Sequence, residues 1–241
     1  MKKIIIGDIH GRTNWKQIVE KEKDADEFIF MGDYFDPYDW TISLVDMVRN
    51  FNDILEFKIA NPTKVIMLIG NHDLAAFESF ANKCRYVDGT YENMAPVLYN
   101  AIKTGVIKLC HFIDDNIVCS HAGFTKTWLD ESELSFDEDG LNEDFRKHVE
   151  DKTCLDKYDF ICKEFCQDGS GDDLWQGPLW VRPVSLLQDM IDGYIQVVGH
   201  TRIRKNSPQE VENLLLADCL EHDEYYSYEN NKFKYNKIWK K

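Results

Sequence analysis

Along this chain short continuous apolar runs alternate with amphipathic stretches, and five of the runs stop at the same chemistry. Ile4, Ile5 and Ile6 lead into Gly7-Asp8-Ile9-His10-Gly11. Phe28 to Met31 lead into Gly32-Asp33-Tyr34-Phe35-Asp36, and Val65 to Ile69 into Gly70-Asn71-His72-Asp73. Ile117, Val118 and Cys119 lead into Ser120-His121-Ala122-Gly123, and Ile195 to Val198 into Gly199-His200-Thr201. A run that is apolar at every position predicts a strand buried on both faces. In an open α/β sheet, ligands gather beyond the carboxyl ends of the strands. The five polar turns all follow such an end, so one fold can bring them to one place.

Between the strands the period changes to that of helices. Residues 14–24 predict a short polar helix. Residues 41–60 predict a long one, with Leu44, Val45, Val48, Phe51, Leu55 and Ile59 as its apolar stripe, Thr41 or Asp39 as its cap, and Pro62 beyond its end. Residues 74–84 and 92–104 predict two more, the second ending at Gly105. Val106 to Leu109 and Phe112 to Val118 read as a strand, a turn and another strand. Residues 125–176 break the rhythm. Leu141, Phe145 and Val149 form one stripe, and Leu155, Tyr158, Ile161, Cys162 and Phe165 a second, which predicts two antiparallel helices inserted as a cap near the site. The 167–173 segment, with Gly169-Ser170-Gly171, reads as a joint, and 214–239 as strands with a hairpin at Asn230-Asn231. The expected fold class is α/β, and the expected organisation is one domain over 1–241.

Composition narrows the class. With 241 residues and 44% apolar content, the chain can build a core without staples. The first apolar run is too short for a signal peptide core, and no run is long enough for a membrane helix, so a cytoplasmic protein is expected. The seven cysteines include no Cys-x-x-Cys pair. Cys154, Cys162 and Cys166 therefore read as reduced helix residues rather than a zinc knuckle. The formal charge is −15, and residues 125–176 carry most of the excess, with 16 acidic against 6 basic side chains. That field argues against stable nucleic-acid binding.

Each polar turn alone is a weak signal, because a Gly-Asp turn also caps helices. In this order, GDIHG, GDYFD, GNHD, SHAG and VVGHT, spanning Gly7 to Thr201, make the chain resemble the calcineurin-like metallophosphoesterases. The resemblance implies a four-layer αββα sandwich of two mixed sheets and a dinuclear metal site. Asp8 and His10 would hold the first metal, Asp33 would bridge, and Asn71, His121 and His200 would hold the second. A carboxylate has two oxygens and can serve two cations. Oxygen and imidazole donors suit Mn as the first expectation, with Fe or Zn as alternatives. His72 resembles the general acid and Asp36 its orienting carboxylate.

The branch is read from departures. Gly199-His200-Thr201-Arg202 lacks the second histidine common in phosphodiesterases of this superfamily. GDIHG and HAG resemble the serine/threonine phosphoprotein phosphatase branch and its small bacterial members. That branch has Arg-Gly where this chain has Pro37-Tyr38, so its phosphate-holding arginine is missing. Arg182, in Trp180-Val181-Arg182-Pro183, is the candidate replacement, and Arg202 the second. The implied function is hydrolysis of phosphate monoesters, including phosphoprotein, by a hydroxide bridging two metals. The alternatives are a phosphodiesterase or a nucleotide or dinucleoside polyphosphate hydrolase, and, from another class, a non-catalytic scaffold of the same fold.

Overall fold

The computed structural model describes residues 1–77, 90–150, 160 and 173–239. Its elements in chain order are β1 (Lys3–Ile6), α1 (Trp15–Lys21), β2 (Glu27–Phe30), α2 (Leu44–Ala60), β3 (Val65–Leu68), a 3₁₀ turn (Asp73–Ala76), α3 (Thr90–Lys103), β4 (Ile107–Lys108), β5 (Cys110–Asp114) and β6 (Ile117–Ser120). These are followed by α4 (Lys126–Ser132), α5 (Glu138–Glu150), α6 (Pro183–Gln188), β7 (Ile195–Arg202), β8 (Gln209–Val211), β9 (Leu214–Asp218), β10 (Glu224–Glu229) and β11 (Lys232–Lys237).

Two mixed sheets result. One has the order β11-β10-β1-β2-β3-β4, the other β5-β6-β7-β9-β8. β1, β2 and β3 run parallel in the first, and β6 and β7 run parallel in the second. These five strands are the five apolar runs, so their polar turns leave each sheet at the same end. Both faces of the first sheet are covered. Ile4, Ile6, Phe28, Phe30, Val65 and Met67 pack with Ile18, Met47, Phe51, Ile54 and Leu98 of the helices. Ile5, Ile29, Ile66 and Leu68 pack with Cys119, Val197 and Leu215 of the second sheet. Beyond Lys3 and Glu27 at the starts of β1 and β2, every position in β1, β2 and β3 is therefore apolar for a structural reason. This is the α/β class expected from the pattern, in the two-sheet sandwich that the resemblance implied.

Several boundaries and faces differ from expectation. The long helix starts at Leu44, and its cap is Ser43, whose hydroxyl accepts from the Asp46 N–H at 3.2 Å; Asp39 instead accepts from the Thr41 N–H at 2.9 Å. Its buried face is Met47, Asn50, Phe51, Ile54 and Lys58, while Val45 and Ile59 are 63% and 66% exposed. The face is rotated from the apolar stripe because two of its members are polar and bonded. Asn50 accepts from Trp15 Nε1 at 2.9 Å and donates to Arg12 O at 2.9 Å, and Lys58 donates to Pro62 O and Val65 O, each at 2.7 Å. The helix expected over 14–24 is confined to Trp15–Lys21. That expected at 74–84 is a 3₁₀ turn as far as residue 76, and 78–89 lie outside the described residues. The strand expected over 106–109 shortens to β4, because the chain crosses to the other sheet directly after it.

The stripe Leu141, Phe145 and Val149 of α5 is buried in the same core as Ile4 and Phe28. The second stripe of the acidic segment, residues 167–172 of the joint, and Cys84, Cys154, Cys162 and Cys166 lie outside the described residues. The hairpin forms where expected, with Asn230 and Asn231 at φ +51° and +58°, as a type I′ turn needs. No helix among the described residues is long and apolar enough to cross a membrane.

Candidate metal centre

The five turns meet, and backbone contacts between them show how. The first two run side by side: His10 N–H donates to Asp33 O at 2.6 Å and Gly11 N–H to Tyr34 O at 3.1 Å. Asp8 is gripped by the last turn, where the His200 N–H reaches its two carboxylate oxygens at 3.1 and 3.0 Å. Glycine is required at two contacts. A Cβ on Gly199 would lie 2.2 Å from Asp8 Oδ1, and one on Gly70 would lie 2.2 Å from Asp33 Oδ1. The turns also hold non-glycine residues in the left-handed region: His10 at φ +44°, Asp33 at +50°, Asp36 at +58° and His200 at +60°. Such backbone costs about 1–3 kcal/mol per residue and persists only where its surroundings enforce it.

All six ligand candidates are buried and converge. Each histidine spends one ring nitrogen on a backbone carbonyl. His10 Nδ1 donates to Phe35 O at 2.9 Å, His121 Nδ1 to Met31 O at 2.9 Å, and His200 Nε2 to Trp180 O at 3.0 Å. The other nitrogen of each then faces the shared volume as an acceptor, the arrangement that orients imidazoles for metals. His10 Nε2 and His121 Nε2 stand 3.6 and 3.5 Å from the same oxygen, Asp33 Oδ2. Asn71 Oδ1 stands 2.8 Å from His121 Nε2 and 2.9 Å from His200 Nδ1. Acceptors facing acceptors at these distances fit a site built around cations.

Among the described residues, two groups of side chains have ligand atoms close enough to share an ion: Asp8, Asp33 and His121, and His10, Asp33 and His72. Asp33 belongs to both, as a bridging residue would. The grouping of Asp8 with His121, and of His72 with His10, differs from the division read from the sequence. The electrostatics agree with an acceptor-rich site. Burial, with Asp218 and Asp33 nearby, pushes the Asp8 carboxyl well up. Burial pushes His10 down to about 4 and lowers His121. Burial, His121 and Arg182 push His200 well down. Burial acts to raise Asp33, but His121, His72, His10 and His200 outweigh it and hold it below the usual carboxylate range. Neutral imidazoles and an ionised central carboxylate are the forms that bind metal.

His72 differs from the other three histidines. Its Nδ1 lies 2.6 Å from Asp36 Oδ2, and its Nε2 lies 3.4 Å from the Tyr38 hydroxyl. Burial acts to lower it, yet Asp33, Asp36 and Asp73 prevail and hold the imidazole above its ordinary value. Arg182 Nη1 donates to His200 O at 2.8 Å and to Thr201 Oγ1 at 3.1 Å, so it braces the last turn. Arg202 lies with its guanidinium carbon 3.6 Å from the Tyr38 ring centroid.

Sequence reasoning quoted Asp73 but assigned it nothing. Its carboxylate accepts from Asp33 N–H at 2.9 Å, Tyr34 N–H at 2.6 Å and Gly70 N–H at 2.8 Å, and so ties the second and third turns together. A buried acid ending GNHD was the available signal. Asp218, buried beside Asp8, was also missed, and nothing local to β9 marks it.

The family model for calcineurin-like phosphoesterases matches residues 1–218. The chain belongs to that family. It is therefore a metal-dependent phosphoric ester hydrolase, of a family that typically uses a dinuclear site, and the convergent donors fit that use. No curated protein matches the chain. Among solved structures, a point mutant of a cold-active protein tyrosine phosphatase aligns over 98% of this chain and 78% of its own, at TM-score 0.64 and 19% identity, a likeness of fold. A metallophosphoesterase from Sphaerobacter thermophilus aligns over 51% of this chain and 47% of its own, at TM-score 0.33 and 18% identity.

Proposed function

We propose that this phosphoesterase hydrolyses phosphate monoesters, and that it stands nearest the phosphoprotein phosphatase branch of its family. The observation that carries the reading is the His72–Asp36 contact of 2.6 Å at the edge of the ligand cluster. Asp36 on Nδ1 fixes the ring and supports its protonated form, so Nε2–H is the donor available to a leaving oxygen. His72 is the residue that carries this proton and Asp36 the one that positions it.

Asp8, His10, Asp33, Asn71, His121 and His200 would hold two divalent metals, with Asp33 shared. The all-oxygen-and-imidazole set favours Mn, with Fe or Zn as alternatives. When bound, such metals supply an activated water and neutralise phosphoryl charge. Arg182, placed against His200 and electrostatically coupled to His121 and His200, holds the phosphoryl oxygens from a position a flexible ammonium would not keep. A cation beside two metals favours a dianionic monoester over a monoanionic diester. The missing second histidine after His200 supports the same branch.

The acidic 125–176 segment joins the fourth and fifth ligand turns. As a cap it would disfavour polyanionic polymers, nucleic acid among them, and leave small phosphates and phosphoproteins as substrates. The buried thiols of Cys110, Cys119 and Cys219 carry no disulfide, which suits a cytoplasmic protein.

The test is a steady-state comparison after elemental analysis, with an aryl phosphate monoester, a bis-aryl phosphate diester, a dinucleoside polyphosphate and a phosphopeptide. The monoester reading expects the highest kcat/KM on the monoester or the phosphopeptide. A higher value on the diester or the polyphosphate transfers the proposal to that alternative. No turnover with metals bound points to the scaffold.

A further inference from the structure

The arginine that the phosphoprotein phosphatase branch has after this aspartate is absent after Asp36, and Pro37-Tyr38 brings an aromatic ring to the acid instead. The Tyr38 hydroxyl is 3.4 Å from His72 Nε2, and its ring meets the edge of His10 at 4.7 Å between centroids. Arg202, from the end of β7, covers that ring at 3.6 Å. This is close cation–π contact, and it fixes a guanidinium beside the acid without using its N–H groups. Glu221 Oε2 lies between Arg202 Nη1 at 3.7 Å and Arg12 Nη2 at 3.5 Å.

The hydrogen-bond pattern separates the arginines. Arg182 gives Nη1 to His200 O and Thr201 Oγ1, and Arg12 gives Nη1 to Ile9 O at 3.4 Å. The Arg202 side chain makes no hydrogen bond among the described residues; its contacts are the Tyr38 ring and Glu221 Oε2. Its side chain is also the most open of the group, 40% exposed against 16% for Arg12 and 24% for Glu221. Apart from the Glu221 contact at Nη1, its N–H donors are committed to no hydrogen bond, on a side chain that is 40% exposed and stacked on the ring whose hydroxyl meets His72 Nε2.

The geometry points to a leaving-group subsite made of Tyr38 and Arg202, which recognises an anionic group, a carboxylate or a phosphate, borne by the alcohol that departs. The inference rests on His72 being the acid. In-line displacement sends the leaving oxygen to Nε2, so whatever that oxygen carries lies against the Tyr38 hydroxyl and the Arg202 fork. A planar guanidinium offers a carboxylate or phosphate two parallel N–H bonds. The acidic chain as a whole repels anions, so this local cation selects a small anionic leaving group instead of drawing in polyanions.

The experiment uses the metal-loaded protein and two aryl esters of similar size, 4-carboxyphenyl phosphate and 4-carbamoylphenyl phosphate. Wild type is expected to favour the carboxylate, mainly through KM. Arg202→Ala should lower the ratio of the two kcat/KM values about tenfold, a change of roughly 1.4 kcal/mol. Arg202→Lys should recover part of it. Tyr38→Leu, which removes the ring under the guanidinium, should lower it as well. Equal slowing of both esters by Arg202→Ala, or no preference in wild type, overturns the subsite. A second measurement needs no turnover: calorimetric binding of 4-hydroxybenzoate should weaken about tenfold in Arg202→Ala. If neither ester is hydrolysed but this binding still depends on Arg202, the hydrolytic reading fails and the subsite stands. Equal binding by wild type and Arg202→Ala removes the subsite.

Discussion

Two clusters of charge in this protein, one partly buried and one fully buried, are built on opposite plans. One joins the sheets structurally. Lys3 and Glu27, at the starts of β1 and β2, pair at 3.1 Å, and His111 of β5 reaches Glu27 at 3.4 Å and Glu138 of α5 at 3.1 Å. Glu138 also takes Lys108 at 2.9 Å and the Phe112 N–H at 2.7 Å, and Lys3 donates to Ile113 O at 2.6 Å. Each carboxylate there has its cation. The other cluster is the ligand set, where Asp33 Oδ2 faces the Nε2 atoms of His10 and His121, and Asn71 Oδ1 faces that same His121 nitrogen and His200 Nδ1. The first cluster is complete within the chain. The second has acceptors in excess, and burial without compensation is costly. A buried polar cluster therefore signals a ligand when its own side chains cannot satisfy one another, and not merely because it is buried and charged.

The largest effect expected from breaking this contrast is at the shared carboxylate. Asp33→Asn should lower metal content at both positions from about two ions per chain, because one residue serves both. Elemental analysis that still found full occupancy would remove Asp33 from the bridging role. His72→Asn should keep metal and lose roughly 10²–10⁴-fold in turnover of alkyl phosphates. The loss should shrink for nitrophenyl phosphate, whose leaving group needs no proton. A variant equally slow on both esters would count against the acid assignment.

Asp73→Ala tests the scaffold behind the ligands. It strands three buried N–H groups, so urea unfolding should show a loss of about 3 kcal/mol, with metal affinity falling in parallel because the Asp33 turn loosens. Wild-type stability in that variant would mean that water replaces the carboxylate.

The smallest effect belongs to the complete cluster. Glu138 is held down to about 2 even though burial acts to raise it, because His111, Lys108 and the Phe112 N–H outweigh burial. A depressed folded value adds stability above the unfolded value near 4.5, and the gain is lost as pH falls through about 2. His111 is raised in spite of burial, by Glu138 and Glu27. Its contribution is full below an unfolded value near 6.5 and is lost as pH rises through the raised folded value. The network should therefore contribute most between about pH 4.5 and 6.5. Allowing for its partial exposure, Glu138→Gln should cost about 1–2 kcal/mol in that window, with metal content unaffected. Denaturant melts of wild type and variant across pH would show a constant difference if the pairing contributes nothing.

Much of the protein was legible without coordinates. The continuity of the runs in β1, β2, β3 and β6 marked strands buried on both faces, because burial on two faces leaves little room for polar side chains; the run of β7 is broken by Gln196, which is buried with its amide bonded to the Phe124 backbone. Their polar ends marked the site, since parallel strands present their turns at one end. The order of those turns identified the family, because the same donor types must return in the same order to rebuild the same cluster. The rest was hidden where polar residues play structural parts. The stripe of α2 misled because Asn50 and Lys58 lie inward with their bonds satisfied, while Val45 and Ile59 lie outward. An apolar count cannot register that exchange.

What the sequence determined by itself was therefore the list of donors, their order and the strands that carry them, all of them consequences of local pattern and burial. Only the tertiary structure decided how they face one another. It set Asp73 across three backbone N–H groups, put His10, Asp33, Asp36 and His200 into left-handed backbone, and laid Arg202 over Tyr38, 164 positions earlier in the chain. Each of these contacts depends on the closing of two sheets and on backbone angles enforced by neighbours distant in sequence, and no local pattern contains that information.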